Sequence, residues 1–529
     1  MKKEIKRIIE SVIRKLQEEK IWPDLAMPEI VVESPREEKF GDYATNVAMV
    51  LSKSLKKNPE DVASEILRYA QDDKFEKVEI VKPGYINFYL SEEYFRNLIE
   101  KINSEENYFG KSDLGKKQKV LLEFISCNPT GPIHLGNARG GPIGDVLANV
   151  LEKTGHKVTR EFYVNDFGNQ VEILGHSVLK DGEAQYKGDY VDDLAERKKE
   201  SLTDPMAVGI WAAGIILEEL IKPTCEKSGI KFDNWFSEKD LHEKGKIEEI
   251  IAFLKEKKLT QEKEGALWYK STEFGDDKDR VLVKSNGRTT YLASDFAYHK
   301  NKMERGFDKI INIMGADHFK EAEVMKTFVE KVLNFKGQIK YILSQMVRVV
   351  KDGEEVKMSK RKGVYFALDD LIDEVGPDAV RFIFVSYAPS SHINFDMDLA
   401  KERSEKNPVF YVQYAYARIA SILEKAKNYT AFKKGEKVIF KHEKEISLLK
   451  ELNRFPEIVE ELTENYEVHK LPQYAIKLAD KFHSFYNECR VIDEENPEIT
   501  AARLELVKAV KIVLGETLRL VGVSAPDKM

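Results

Sequence analysis

Along the first twenty residues, Ile5, Ile8, Ile9, Val12, Ile13 and Leu16 recur at intervals of three and four. That interval brings them to one side of a helix, so an amphipathic helix with one buried face is predicted. GDYATNVAMVLSKSLKKNPEDVASEIL keeps the helical spacing and breaks at a proline, which predicts two further helices. EIVKPGYINFYL reads as a turn feeding a strand. The polar stretch YFGKSDLGKKQK ends this region, so a first, α+β unit is expected over residues 1–112.

From Val120 the period changes. VLLEFIS is a short apolar run suited to a strand buried on both faces, GPIGDVLANVLEKTG returns to helical spacing, and KVTREFYV is a second strand candidate. Later DKIINIMG leads through ADHF into the helical EAEVMKTFVEKVL, and KYILSQMVRVV follows. Repetition of strand, helix and strand predicts an α/β fold with a doubly wound parallel, Rossmann-like sheet over residues 113–370. Within it, about 174–268 is mostly charged helical pattern and reads as a helical insertion. Residues 371–406 form a connector. From Asn407 the spacing is helical to the end, and Leu506, Val507, Val510, Val513, Leu514 and Leu518 share one face, which predicts an all-α helix bundle over 407–529.

Composition narrows the classes. The chain has 529 residues, 42% hydrophobic and 33% charged, as expected of a globular protein with several domains. Its net charge of −7 does not predict a nucleic-acid partner. The deficit is uneven, however: from Lys401 to the end there are 22 basic and 21 acidic residues, so the predicted bundle is neutral enough to present a basic face. Cys127, Cys225 and Cys489 are too far apart for a metal or disulfide framework, and a reducing compartment is expected. No apolar run is long enough to span a membrane, and the N-terminus has neither a signal h-region nor transit-peptide composition, so a cytoplasmic location is expected.

Two stretches carry candidate chemistry. The turn after VLLEFIS reads Asn128-Pro129-Thr130-Gly131-Pro132-Ile133-His134-Leu135-Gly136-Asn137. At the carboxyl end of a parallel strand such a turn faces a ligand. Gly131 and Gly136 permit close backbone approach, Pro132 stiffens the entry, and His134 and Asn137 are expected in the first turn of a helix whose N–H groups suit phosphate. Much later comes Lys357-Met358-Ser359-Lys360-Arg361-Lys362-Gly363. A cationic loop of this kind can close on a triphosphate.

HLGN and KMSK, in this order around a doubly wound sheet, resemble the two signatures of class I aminoacyl-tRNA synthetases. NPTGPIHLGNARGG, YVNDFGNQ, FGDDKDRVLVKSNGRTTYLASDFAYH, MGADHF, NPVFYVQYAYARI and LRLVGVSAPDKM together resemble arginyl-tRNA synthetases over nearly the whole chain. The first signature departs from the class pattern at Leu135 and Asn137; asparagine still offers an amide donor. The resemblance implies an arginine–tRNA ligase that activates L-arginine with ATP and passes it to the tRNA for arginine. Mg²⁺ on the ATP phosphates is implied too, without a dedicated protein metal site. ATP is then expected against Gly131, Pro132, His134, Gly136, Asn137, Asp317, His318, Met358, Ser359 and Lys360, with His134, Asn137, Lys357 and Lys360 catalytic.

For arginine, a planar guanidinium calls for carboxylate acceptors. Tyr291 and Asp295 lie four apart on a predicted helix, and the resemblance assigns them to the arginine side chain. It adds Glu123, a carboxylate in an apolar strand that must find a partner, with Ser126 and Asn128 for the α-amino and carboxylate groups, and Gln170 and His134 beside them. For RNA it implies an N-terminal domain touching the D-loop, with Tyr85 stacking and Asn87 reading a base edge, and a C-terminal anticodon-binding bundle with Tyr411, Tyr414 and Arg418. A monomer is expected. Two alternatives stay open at this point: a class I synthetase for another amino acid such as lysine, and a catalytically silent, synthetase-like RNA-binding protein.

Overall fold

The run VLLEFIS lies at the centre of a five-stranded parallel sheet: β1 (Lys119–Glu123), β2 (Lys157–Val164), β3 (Asn234–Ser237), β4 (Lys309–Gly315) and β5 (Gln338–Ser344). The computed structural model describes residues 1–35, 37–70, 72–356, 366–427, 429 and 440–529. The spatial order is β5-β4-β1-β2-β3. The order reverses between β1 and β4, the switch point at which open α/β sheets bind ligands. Val120, Leu121 and Leu122 are all fully buried, which is why their run is continuous rather than alternating.

One register row across this sheet is polar. Asn234, Glu161, Glu123, Asn312 and Tyr341 are successive partners on the five strands. The helix Tyr291–Glu304 supplies their counterparts. The Tyr298 hydroxyl donates to Glu161 (2.7 Å), and Arg305 grips the same carboxylate with both terminal nitrogens. Lys302 reaches Glu123 and, at 2.7 Å, the Asn312 side-chain oxygen. His299 hydrogen-bonds the Tyr341 hydroxyl (2.8 Å). Buried polar groups are tolerated here because most are matched; Asn312 Nδ2 and Arg305 Nε are buried without a hydrogen-bond partner.

The predicted helical insertion needs correction. It contains helices, including Pro205–Ile216 and Lys246–Glu256, but also β3 and two strands, Thr260–Lys263 and Ala266–Tyr269, of a separate antiparallel sheet. NWFS is only four residues long between charged neighbours, too short for a period to show. KYILSQMVRVV likewise divides: Gln338–Ser344 joins the central sheet, while Val347–Lys351 pairs in parallel with Ile393–Asp396 in another.

The N-terminal unit is a four-stranded antiparallel sheet with helices, the first of them Lys2–Glu18. Ile5, Ile9, Val12, Ile13 and Leu16 are buried on it, as the spacing predicts. GDYAT is a strand (Tyr43–Thr45), not the start of a helix. At the other end, Pro408–Lys425, Glu443–Asn465, Lys470–Glu488 and Pro497–Val521 form the helix bundle. Asn103 of the helix Glu92–Glu105 donates to Glu505 (2.7 Å), joining the two ends of the chain.

Candidate active site

After Glu123 the backbone turns sharply: Ile125 has φ 67° and Ser126 φ 44°, both left-handed. Such values are costly for a β-branched residue and persist only where the surroundings enforce them. Here the Ser126 hydroxyl donates to Glu123 Oε1 (2.9 Å) and accepts the Tyr163 N–H (3.1 Å), pinning the turn between β1 and β2. Ser126, read from the sequence as a substrate contact, is therefore engaged in holding its own loop.

The HLGN turn follows. His134 caps a helix of only four residues, Leu135–Ala138, and its Nδ1 accepts the Gly136 N–H (3.1 Å). The expected phosphate-binding helix end is thus a short turn, and one of its N–H groups is used internally. An accepting Nδ1 leaves the proton of the neutral ring on Nε2, the form that donates to a phosphate oxygen. Behind the turn, buried Arg139 donates to six backbone carbonyls: those of Gln345, Phe384, Tyr387, Ala388, Pro389 and Ser391. Lys357, Met358, Ser359 and Lys360 lie outside the described residues. The chain beyond them meets the turn, with the Leu368 N–H on the Ile133 carbonyl (2.9 Å) and a bridge between His134 and Ala367.

Asn128, Gly131, Pro132, His134, Asn137 and Gln170, six of the expected contacts, line a cavity of about 170 Å³ at this switch point. Tyr186 and Tyr190 also line it, with Cys127, Thr130 and Ala367, and were not legible in the sequence; Tyr186 hydrogen-bonds the Gln170 side chain, and Tyr190 donates to the Thr130 carbonyl (3.0 Å). Asp317 and His318 follow β4 at the same end of the sheet but do not line this cavity; both are exposed and 3.8 Å apart.

Beside the cavity lies an acidic cluster. Asp295 is pushed up to about 7 by burial and by the charges of Glu238 and Glu123, against the pull of Lys302. Tyr291 is half exposed, and its hydroxyl lies against the Gln170 backbone. Glu238, which begins the helix Glu238–Glu243 directly after β3, is buried; Asn165, with its amide nitrogen turned toward the carboxylate, donates to Glu238 Oε2 (2.5 Å). This residue was missed because SEKDLHE reads as a solvated charged run. Glu123 does have the partner its burial demands, and that partner is Lys302 within the protein.

The RNA candidates separate. Tyr85 is exposed at the start of its strand, but Asn87 is buried between its register partners Ala44 and Glu79 and presents no edge to a base. Alternation places both residues on one face without saying how far that face is covered. In the bundle, Tyr411 is tied to Asp480 (2.6 Å). Tyr414 and Arg418 line an open cavity of about 980 Å³ with Tyr486, Lys425, Arg490 and Lys528. The Arg418 guanidinium lies 4.7 Å from the Tyr414 ring and 5.2 Å from that of Tyr486.

Comparison with known proteins decides the family. Residues 3–90 match the arginyl-tRNA synthetase N-terminal domain, 98–204 and 218–386 the class I (R) tRNA synthetase catalytic domain, and 412–529 the DALR anticodon-binding domain. The chain is 43% identical to arginine–tRNA ligase 1 of Halalkalibacterium halodurans, over 96% of this chain and 95% of that one. The chain belongs to the arginyl-tRNA synthetase family. It is also 41% identical to the arginine–tRNA ligase of Bacillus subtilis over 95% of both chains. Among solved structures, the arginyl-tRNA synthetase of Thermus thermophilus has the same fold, with a TM-score of 0.78, 22% identity and coverage of 99% of this chain and 100% of that one. The activity is arginine–tRNA ligation, and the class I family uses ATP for it. The lysine and catalytically silent alternatives have no support. Among the described residues, no helix is long and apolar enough to cross a membrane.

Proposed function

We propose that Asp295 and Tyr291 receive the arginine guanidinium, with Glu123 and Glu238 setting the negative field around it. The single observation that carries this reading is Asp295, a buried carboxylate whose nearest charges are mostly negative and whose pKa is accordingly raised. A cation of the right shape relieves that arrangement, and a planar guanidinium can meet a carboxylate and a phenol together. Asn128 and Gln170, on the wall of the adjoining cavity, hold the α-amino and carboxylate groups. The substrate carboxylate then attacks the α-phosphorus of ATP beside His134 and Asn137, with pyrophosphate leaving. Lys357 and Lys360 neutralise the charge that builds on the departing phosphates, and Asp317 and His318 lie toward the ribose. The 3′-terminal ribose of the tRNA takes the arginyl group from AMP. Catalysis of this kind is positioning and charge stabilisation, with no covalent enzyme intermediate.

Mg²⁺ enters with ATP. There it would be held by phosphate oxygens and water. The enzyme acts as a cytoplasmic monomer; three free, buried cysteines suit a reducing compartment. Tyr85 touches the D-loop, and Tyr414, Arg418 and Tyr486 meet anticodon bases. Binding of the RNA assembles the activation site. The test is charging of total tRNA with each of the twenty amino acids, together with pyrophosphate exchange with and without tRNA. Arginine alone should be charged, and exchange should require tRNA. Charging of lysine, or full exchange without RNA, would contradict the reading.

A further inference from the structure

Lys302 has no exposed side-chain surface, and its ammonium is spent inside the protein. It bonds Glu123 Oε2 and the Asn312 oxygen, and it stands 4.1 Å from the centre of the Tyr298 ring. A buried lysine is expensive unless its partners are fixed. These partners are notable for where they lie. Glu123 is the last residue of β1, and its other oxygen holds Ser126 in the left-handed turn that leads to the HLGN stretch. On its own helix, Lys302 follows Asp295 by seven residues, two turns along the same face. One ammonium therefore fastens the helix that carries Tyr291 and Asp295 to the strand that carries Glu123.

We propose that Lys302 is a positioning residue of the arginine site: through Glu123 it fixes the spacing between the Tyr291/Asp295 helix and the strained Ile125–Ser126 turn, and so sets the fit of arginine. This rests on the assignment of Asp295 and Glu123 to arginine made above. Lys302 touches no substrate; its direct charge effect on Asp295 is removed by measuring at pH 9, where Asp295 is ionised, and the effect that remains must pass through Glu123.

The experiment is a double-mutant cycle on the full chain at pH 9, read as KM for arginine, KM for ATP and kcat in tRNA-dependent activation. Lys302→Met should raise the arginine KM tenfold or more and leave the ATP KM within about twofold. Glu123→Gln should also raise the arginine KM. In the double variant, Lys302→Met should add less than about threefold to the effect of Glu123→Gln, because the link is already cut. The double variant removes both members of the Lys302–Glu123 pair and leaves neither charge without the other, so it keeps the test decisive if Lys302→Met alone fails to fold. A tenfold further rise in the double variant would overturn the proposal, as would a wild-type arginine KM in folded Lys302→Met. Asp295→Asn is the control: if it binds arginine normally, the site assignment fails, whereas a defect there beside a normal Lys302→Met leaves the assignment and removes the role of Lys302.

Discussion

The Arg381 guanidinium donates to Asp145 Oδ2 (2.5 Å) and also to the Val521 carbonyl (3.0 Å). Asp145 lies on the helix Gly140–Lys153 behind the HLGN turn, and Val521 ends the last helix of the bundle. A third contact, to the Ser228 carbonyl (2.8 Å), brings in the segment before β3. Both charged side chains are buried, so this pair is a junction among three parts of the chain rather than a surface ion pair.

Breaking a buried pair costs roughly 3–5 kcal/mol when the other charge is left bare; without Arg381, Asp145 still has Arg160 at 3.5 Å, so the lower end, about 3 kcal/mol, is expected. Arg381→Met should lower unfolding stability by about that much. Gly522→Ala should destabilise for two reasons: Gly522 has φ 74°, and a Cβ there would fall on the Arg381 guanidinium. Urea denaturation of both variants checks this. A loss below about 1 kcal/mol in Arg381→Met would mean that the junction is replaceable.

How much of this could be read from the sequence follows from what each signal depends on. The apolar face of Lys2–Glu18 and the run in β1 were legible because burial sets the period of the pattern itself. Short β3 was not, since four residues cannot display a period. His134, Asn137, Asp295 and Tyr291 stood out through motif order. Glu238 and Lys302 were hidden inside the charged runs SEKDLHE and HKNKMER, where a buried ion looks like a solvated one. Their partners lie on β1 and β4 and in the loop after β2, and only the fold brings them together. Asn87 shows the converse limit, because strand alternation names a face and says nothing of what covers it.

Asp295→Asn should cripple the use of arginine while leaving the fold intact. The charged partner of the guanidinium becomes an amide that both donates and accepts, and the loss should be roughly 2–5 kcal/mol in kcat/KM for arginine. Steady-state charging at varied arginine concentration measures it. Unchanged constants would remove Asp295 from the site.

The bundle cavity should bind RNA through stacking as well as charge. Tyr486→Ala should weaken tRNA binding by about 1–3 kcal/mol, the scale for one stacked base. Arg418→Ala should do the same while flattening the salt dependence, since it removes a cation as well as the filler between two rings. The KM for arginine should be unaffected in both. Tyr411→Phe should cost RNA binding little, because its hydroxyl is committed to Asp480. Equal tRNA losses in all three variants would mean a disturbed bundle rather than a base pocket.

The raised pKa of Asp295 has a consequence for binding and another, of opposite sense, for stability. Its carboxyl lies near 7 in the folded protein against an ordinary value of 3.8. Guanidinium binding needs the ionised form, so the KM for arginine should fall about tenfold from pH 6 to pH 8 and level off above that. For stability the folded state holds this proton more tightly than the unfolded chain does. The contribution is therefore fully present below about pH 4 and is lost as pH rises through 7, by up to roughly 4 kcal/mol. At pH 8 the free enzyme holds this carboxylate ionised in acidic surroundings, with Glu238, Glu123 and Glu321 opposing it and Lys302 relieving it. Asp295→Asn should then be more stable than wild type at pH 8 without arginine, and the advantage should shrink toward pH 6. Saturating arginine should raise the wild-type melting temperature more at pH 8 than at pH 6. Melting curves of both proteins at the two pH values, with and without arginine, decide it: parallel shifts across pH would show that Asp295 ionises as an ordinary surface carboxylate.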